Sequence, residues 1–205
     1  YMTSVVGNRA LCRRLGEDVM AQRLSHAYSL EGKEGSGKHT VAMLTAAAMV
    51  CERRDEQGVP LPCMSCLSCR KILRRLSPDL LVVGRDGRAT LGVEAVRTLR
   101  EDVHIRPSEL EYKFYIIEDA DTMTVQAQNA LLLTLEEPPP YVLFLLLCNG
   151  ADNLLETIRS RAPVLRTQPI PDDDIRAFLA GNLCRCSGYD GQLRGIRAFL
   201  DSRKG

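Results

Sequence analysis

The chain is 205 residues long, with 45% hydrophobic and 26% charged residues, which is enough to bury one good core and a small second domain and is far from a disordered composition. A formal net charge of +1 gives no overall basic field, which excludes a self-sufficient DNA binder driven by charge alone. The longest unbroken apolar run, Tyr141 to Cys148, falls far short of the roughly 20 residues of a membrane-spanning helix, and no secretory signal opens the sequence, so we expect a cytoplasmic protein with no membrane partner.

Tyr1, standing before Met2, reads as a remnant ahead of the natural start. Leu11, Leu15 and Val19 recur every four residues and predict an amphipathic helix ending near Arg23-Leu24-Ser25. Ala27 to Leu30 is a short strand. It runs into Glu31-Gly32-Lys33-Glu34-Gly35-Ser36-Gly37-Lys38-His39-Thr40, which nearly spells a phosphate-binding loop: Gly, four residues, Gly, Lys, then Ser or Thr. Gly32, Gly35 and Gly37 let backbone N–H groups from Gly32 to Lys38, that of Ser36 included, close around phosphates. Lys38 can neutralise the outer oxygens, and the helix that begins there offers its positive end. The Mg²⁺ hydroxyl is missing. His39 holds its place, and Thr40 lies one residue on, rotated by about 100° on a helix. Nucleotide binding suits this run; efficient hydrolysis does not. Thr40 to Val50, free of Gly and Pro, continues as a helix and completes the strand, loop, helix context.

Cys51, Cys63, Cys66 and Cys69 follow, separated by eleven, two and two residues. Four thiolates suit tetrahedral Zn²⁺ and leave no open position, so this zinc is expected to be structural. Disulfides are disfavoured in a cytosolic chain. Of the remaining Cys12, Cys148, Cys184 and Cys186, the Cys184-x-Cys186 pair has no second pair nearby and reads as packing. A basic helix and a strand, Leu80 to Val83, come next, and Val93, Val96, Leu99 and Val103 then mark a helical face.

Phe114-Tyr115-Ile116-Ile117 reads as a buried parallel strand delivering Glu118 and Asp119 at its carboxyl end, where Glu118 suits Mg²⁺ through water and Asp119 suits polarising an attacking water. Thr124 to Leu135 is helical and is stopped by Pro138-Pro139-Pro140; Tyr141 to Cys148 is another buried strand. Asn149 could sense a γ-phosphate, or serve only as a turn residue before Gly150. A short helix beginning near Asp152-Asn153 carries Arg159-Ser160-Arg161; there an arginine is either a solvated charge or, at a subunit edge, one that completes a neighbour's site. His26 and His104 have no partners at triad or metal spacing. The alternation predicts an open, mostly parallel α/β sheet over residues 1–168. After Pro169-Ile170-Pro171, the acids Asp172, Asp173 and Asp174 open a helix and a second follows Gly191, so 169–205 reads as a small helical domain.

The loop, the four cysteines, Glu118-Asp119-Ala120-Asp121, the string Asn129-Ala130-Leu131-Leu132-Leu133-Thr134-Leu135-Glu136-Glu137-Pro138-Pro139 and Ser160-Arg161 occur in this order. With them the chain resembles bacterial clamp-loader subunits of the AAA+ class, most of all the delta-prime type of DNA polymerase III, with gamma/tau as the near alternative. The resemblance implies a P-loop α/β domain with a zinc module at 51–69, a helical lid and, in complete members, a collar that is absent from this chain, which stops at Gly205. It implies that Val6 and Gly7 lie near an adenine pocket, that Asn149 is the first sensor, that Arg194 is a lid arginine touching phosphate, and that Arg161 is an arginine finger acting in trans. Implied cofactors are structural Zn²⁺ and ATP or ADP with Mg²⁺. Implied partners are gamma/tau and delta subunits, the sliding clamp, and primer-template DNA through the assembled complex. Three positions depart from the family pattern: His39, the Glu118-Asp119 order, which is usually reversed, and Ala162 where the finger motif has Cys. The first two favour a stator over a motor. An active gamma-type ATPase, a stand-alone P-loop kinase or ATPase, and a pure zinc-binding interaction module are the other readings.

Overall fold

Strands without a polar face must be covered on both sides. The computed structural model, which describes residues 8–54, 56, 61–85, 87–169, 194, 195 and 198, meets this demand with helices in two layers. In chain order the elements are α1 (Arg9–Met20), β1 (Ala27–Glu31), α2 (Lys38–Met49), α3 (Leu67–Leu73), β2 (Leu80–Val83), α4 (Val93–Val103), β3 (Lys113–Ile117), α5 (Val125–Glu136), β4 (Val142–Cys148), α6 (Glu156–Arg161) and β5 (Val164–Arg166). The five strands form one parallel sheet in the order β2-β3-β4-β1-β5.

Side-chain alternation along β3 and β4 sorts the core into two halves. Phe114, Ile116, Leu143 and Leu145 meet Leu15, Val41, Ala46 and Ile72 of α1, α2 and α3 on one face. Tyr115, Ile117, Phe144 and Leu146 meet Val96, Leu99, Leu131 and Ile158 of α4, α5 and α6 on the other. The Tyr115 and Phe144 rings stack with centroids 5.2 Å apart. Every residue of α2 from Val41 to Ala48 is buried, because this helix touches both α1 and α3 as well as the sheet. Its alanines let three helices share one face.

Three details differ from the sequence expectation. Helix α1 stops at Met20, where Gln22 turns left-handed (φ 52°) and its N–H returns to the Val19 carbonyl. The helix bearing Arg161 begins at Glu156, since 151–153 form a separate 3₁₀ turn. Strand β5 was not expected at all: three residues between Pro163 and Thr167 are too few to show a period, and pairing with β1 is what makes them a strand. The expected helical domain from 169 onward lies outside the described residues, apart from Pro169 itself and the helical positions 194, 195 and 198.

Two buried charges brace the sheet's flank. The Lys113 ammonium meets the Asp102 carboxylate at 2.8 Å and donates to the Asp102 carbonyl at 2.9 Å, a cation at the last turn of α4, while the Tyr115 hydroxyl donates to the same carboxylate at 2.7 Å. Asp79, just before β2, accepts from the N–H groups of Ser108, Glu109 and Leu110 at 2.7–2.8 Å and so fixes the segment leading into β3. Burial alone would raise the Asp79 pKa; these donors outweigh it and hold the carboxyl below its usual value. Replacing Asp79 with Ala strands three N–H groups and should lower the urea-unfolding free energy by about 2–4 kcal/mol. Because the folded pKa is depressed, the contribution is full above the ordinary carboxylate range and drains away as pH falls through the folded value. Stability measured against pH should therefore fall less steeply on the acid side in Asp79→Ala than in the parent.

Candidate functional site

Parallel strands deliver their following loops to one edge of the sheet. At the carboxyl ends of β1, β3 and β4 this brings together the glycine loop, Glu118, Asp119 and Asn149. Gly35 (φ 76°) and Gly37 (φ 84°) are left-handed, with Gly37 capping α2. A Cβ on Gly32 would collide with Thr167 Oγ1 and Ser36 Oγ. Lys38 Nζ donates to the Gly32 carbonyl at 2.8 Å and to Asn149 Oδ1 at 2.9 Å. Asn149 is held in turn, its N–H donating to Asp121 Oδ2 at 3.2 Å. Burial keeps the Lys38 ammonium below its usual pKa, while the Asp121 charge pulls the other way. The cradle, with a lysine at its mouth and a helix start behind it, fits a phosphate group.

The loop is also tied from outside. Asn8 is buried, donates from Nδ2 to the Ser36 carbonyl at 2.8 Å and accepts the Gln168 N–H at 2.9 Å. The Thr167 hydroxyl donates to the Glu31 carbonyl at 3.0 Å and so accepts from Ser36 Oγ at 2.8 Å. Sequence reasoning passed over Asn8, whose one signal was its place beside Val6-Gly7. Val6 and Gly7 themselves lie outside the described residues, and Arg194 is an exposed helical residue whose surroundings lie outside them as well.

The residues for a magnesium ion do not fit one. His39, in the first turn of α2, accepts from the Arg75 guanidinium at 2.6 Å through Nε2, and Glu118 Oε1 lies 3.3 Å from the same nitrogen. Burial, then Arg75, keeps the imidazole below its usual pKa, in the neutral form that accepts this bond. Arg75 stands 3.9 Å from Glu118. Asp119, itself left-handed (φ 51°), is paired with Arg85 Nε at 2.8 Å. Thr40 is exposed and stands apart from these contacts. Both carboxylates thus face arginines, and Arg75 and Arg85 were not singled out in the sequence. They lie 36 and 34 residues from the partners they meet.

The four cysteines converge. All four Sγ atoms lie within 4.8 Å of one another, and among the described residues they are the one such group that could hold a metal. Zn–S bonds of about 2.3 Å in a tetrahedron put sulfurs about 3.8 Å apart, so the cluster fits zinc. Backbone N–H groups already point at sulfur: Cys63 N–H at Cys51, Cys66 N–H at Cys63 and Cys69 N–H at Cys66, at 3.4–3.5 Å. Burial opposes ionisation of Cys63, but the Cys66 N–H and the donors of Ser65 outweigh it and bring the thiol down to about 6. Cys66 is also the N-cap of α3, so the cluster sets where that helix starts.

Arg161 ends α6 and lies away from this group of residues. Its guanidinium reaches Glu136 Oε1 at 2.9 Å and the Thr157 carbonyl at 3.2 Å.

Residues 7–171 match the DNA polymerase III, delta subunit family. The DNA polymerase III subunit delta' of Bacillus subtilis is 38% identical over 156 residues, which cover 76% of this chain and 46% of that protein. The subunit tau of the same organism is 34% identical over 210 residues, covering 96% of this chain and 36% of that one. A DNA polymerase III gamma subunit-related protein of Thermotoga maritima superposes with a TM-score of 0.57 at 23% identity, over 82% of this chain and 49% of its own, a likeness of fold. The chain spans less than half the length of these relatives.

Protein purified without chelator should carry close to one zinc per chain by elemental analysis. Cys66→Ser should lower that ratio and the thermal midpoint together, since it removes a metal ligand while leaving a residue that can still cap α3. Metal-free protein with an unchanged midpoint would rule out a structural zinc.

Proposed function

The chain belongs to the DNA polymerase III, delta subunit family, a clamp-loader branch of the AAA+ proteins, and from that premise we propose that it works as a delta-prime-type stator. In this reading it assembles with gamma/tau-type and delta-type subunits and helps them load the sliding clamp on primer-template DNA. Its own loop turns over ATP slowly or not at all, and its contribution to catalysis is Arg161, offered to a neighbouring subunit's nucleotide.

The position of Arg161 carries this reading. Helix α6 leads into the first residue of β5, and α5 leads toward the first residue of β4. The Arg161–Glu136 pair therefore lies at the amino edge of the parallel sheet, while the glycine loop and Lys38 lie at the carboxyl edge. The five residues of β1 alone separate the two edges by about 16 Å, at about 3.3 Å per residue. Arg161 cannot reach the phosphates of its own loop. It is exposed, as are Val125, Asn129 and Leu133 on α5, an apolar-edged face that suits a partner. A gamma-type motor is the second reading, favoured by the likeness to tau. It would need a metal ligand at position 39, where His39 instead holds Arg75.

In the complete protein, assembled with motor, delta and clamp subunits, Arg161→Ala should cut clamp-stimulated ATPase, by as much as about 10³-fold at the one site it serves. Fold, zinc content and this chain's own nucleotide affinity should stay as they were. Arg161→Lys should recover only part of the loss, since a point charge does not replace the planar fork. Undiminished ATPase and clamp loading in Arg161→Ala would return the residue to a solvated charge. Turnover by the isolated protein at about 1 per second or faster would favour the motor reading.

A further inference from the structure

The carboxylates that would hold a metal beside the loop face protein cations instead. His39 stands where a P-loop places its Mg²⁺ hydroxyl, and its imidazole binds the Arg75 guanidinium at 2.6 Å. That guanidinium lies 3.9 Å from Glu118, the acid suited to the same metal. One arginine thus sits between the hydroxyl position and the acid position, the two protein groups through which a P-loop holds magnesium. Arg85 does the same for Asp119 at 2.8 Å. Arg75, Arg85 and Arg88 line one open cavity of about 490 Å³ with Glu118 and Asp119, between the end of α3 and the ends of β2 and β3. Among the described residues, three guanidinium groups there face two carboxylates. A magnesium ion entering there would have to displace Arg75 and would meet no hydroxyl ligand.

We propose that the loop takes a nucleoside di- or triphosphate without a metal, and that Arg75, held by His39, is the counter-charge that Mg²⁺ supplies in related sites. The proposal rests on the glycine loop being a nucleotide site and concerns what neutralises the phosphates there. A guanidinium balances charge and donates hydrogen bonds, but it neither ligates an attacking water nor lowers its pKa. Binding can then persist while hydrolysis is lost. Arg75 is left-handed (φ 54°) just past the end of α3, and its guanidinium reaches His39 in the first turn of α2.

The test titrates the full protein with ribose-labelled fluorescent ADP, once with excess Mg²⁺ and once with EDTA after zinc content has been verified. Wild type should bind with the same Kd within about twofold in the two buffers. Arg75→Asn, a neutral residue that tolerates the left-handed backbone, should weaken binding in EDTA by about tenfold, the loss of one charge-assisted contact. Arg75→Lys should keep part of the affinity, and unchanged circular dichroism and zinc content show that both variants are folded. Wild-type affinity that rises tenfold or more with Mg²⁺, or Arg75→Asn binding as tightly as wild type in EDTA, overturns the proposal. Absence of binding in both buffers overturns it together with the nucleotide reading of the loop, whereas the Arg161 result in the assembled complex stands or falls separately.

Discussion

The parallel pairing of β1 with β4 is the constraint on which everything else hangs. Ala27 lies opposite Phe144 and Glu31 opposite Cys148, so the two strands end level and release their next residues side by side. The glycine loop therefore starts beside Asn149, and Lys38 can bond both Gly32 and Asn149 from one position. A register slip of one residue would turn the two apolar faces of β4 inside out and pull Asn149 out of step with the loop. Since all seven residues of β4 are buried, against helices on both sides, that register has no alternative the core would accept. The same parallel sense separates the two edges of the sheet, with the glycine loop and Lys38 at one and Arg161 at the other.

Helix α3 links parts of the structure that look independent in sequence. It opens at Cys66, within the thiol cluster, and closes just before Arg75. Seven residues of helix span about 10 Å, so whatever orders the sulfurs also aims the arginine that meets His39 and Glu118. The cluster is therefore more than a brace for a surface insertion. Its Cys69 packs beneath α2, the helix that the glycine loop caps, and donates toward the Ala47 carbonyl there.

Much of this was legible in the amino-acid sequence, and the rest was hidden for definable reasons. The strands at 27, 80, 114 and 142 announce themselves as short apolar runs, and the loop and cysteines by spacing, because local geometry demands those residues wherever the chain later folds. Strand β5 has no such autonomy: Val164, Leu165 and Arg166 become a strand only against β1. The pairs that give the site its electrostatics are long-range too. Nothing near Arg75 in sequence marks it out from Arg70 or Arg74; only the left-handed turn after α3 brings it to His39. The Glu136–Arg161 pair depends on α5 packing against α6, where Gln128 holds the Leu155 N–H at 2.7 Å and the Asn153 carbonyl at 3.1 Å. Periodicity foresees each helix but not which two ends will meet.

The tie through Asn8 has a mechanical meaning. One buried amide joins Ser36, in the glycine loop, to Gln168, 160 positions from Asn8 along the chain. Thr167 adds a second stitch to Ser36 and to the Glu31 carbonyl. The strand that leaves the sheet at β5 is thus fastened to the cradle before it goes anywhere else. A pull on the chain just beyond Gln168 would be felt at Ser36 across a single side chain, with no flexible stretch to absorb it. The loop and the outgoing chain therefore share the same two side chains, and displacing either strains the hydrogen bonds of the other.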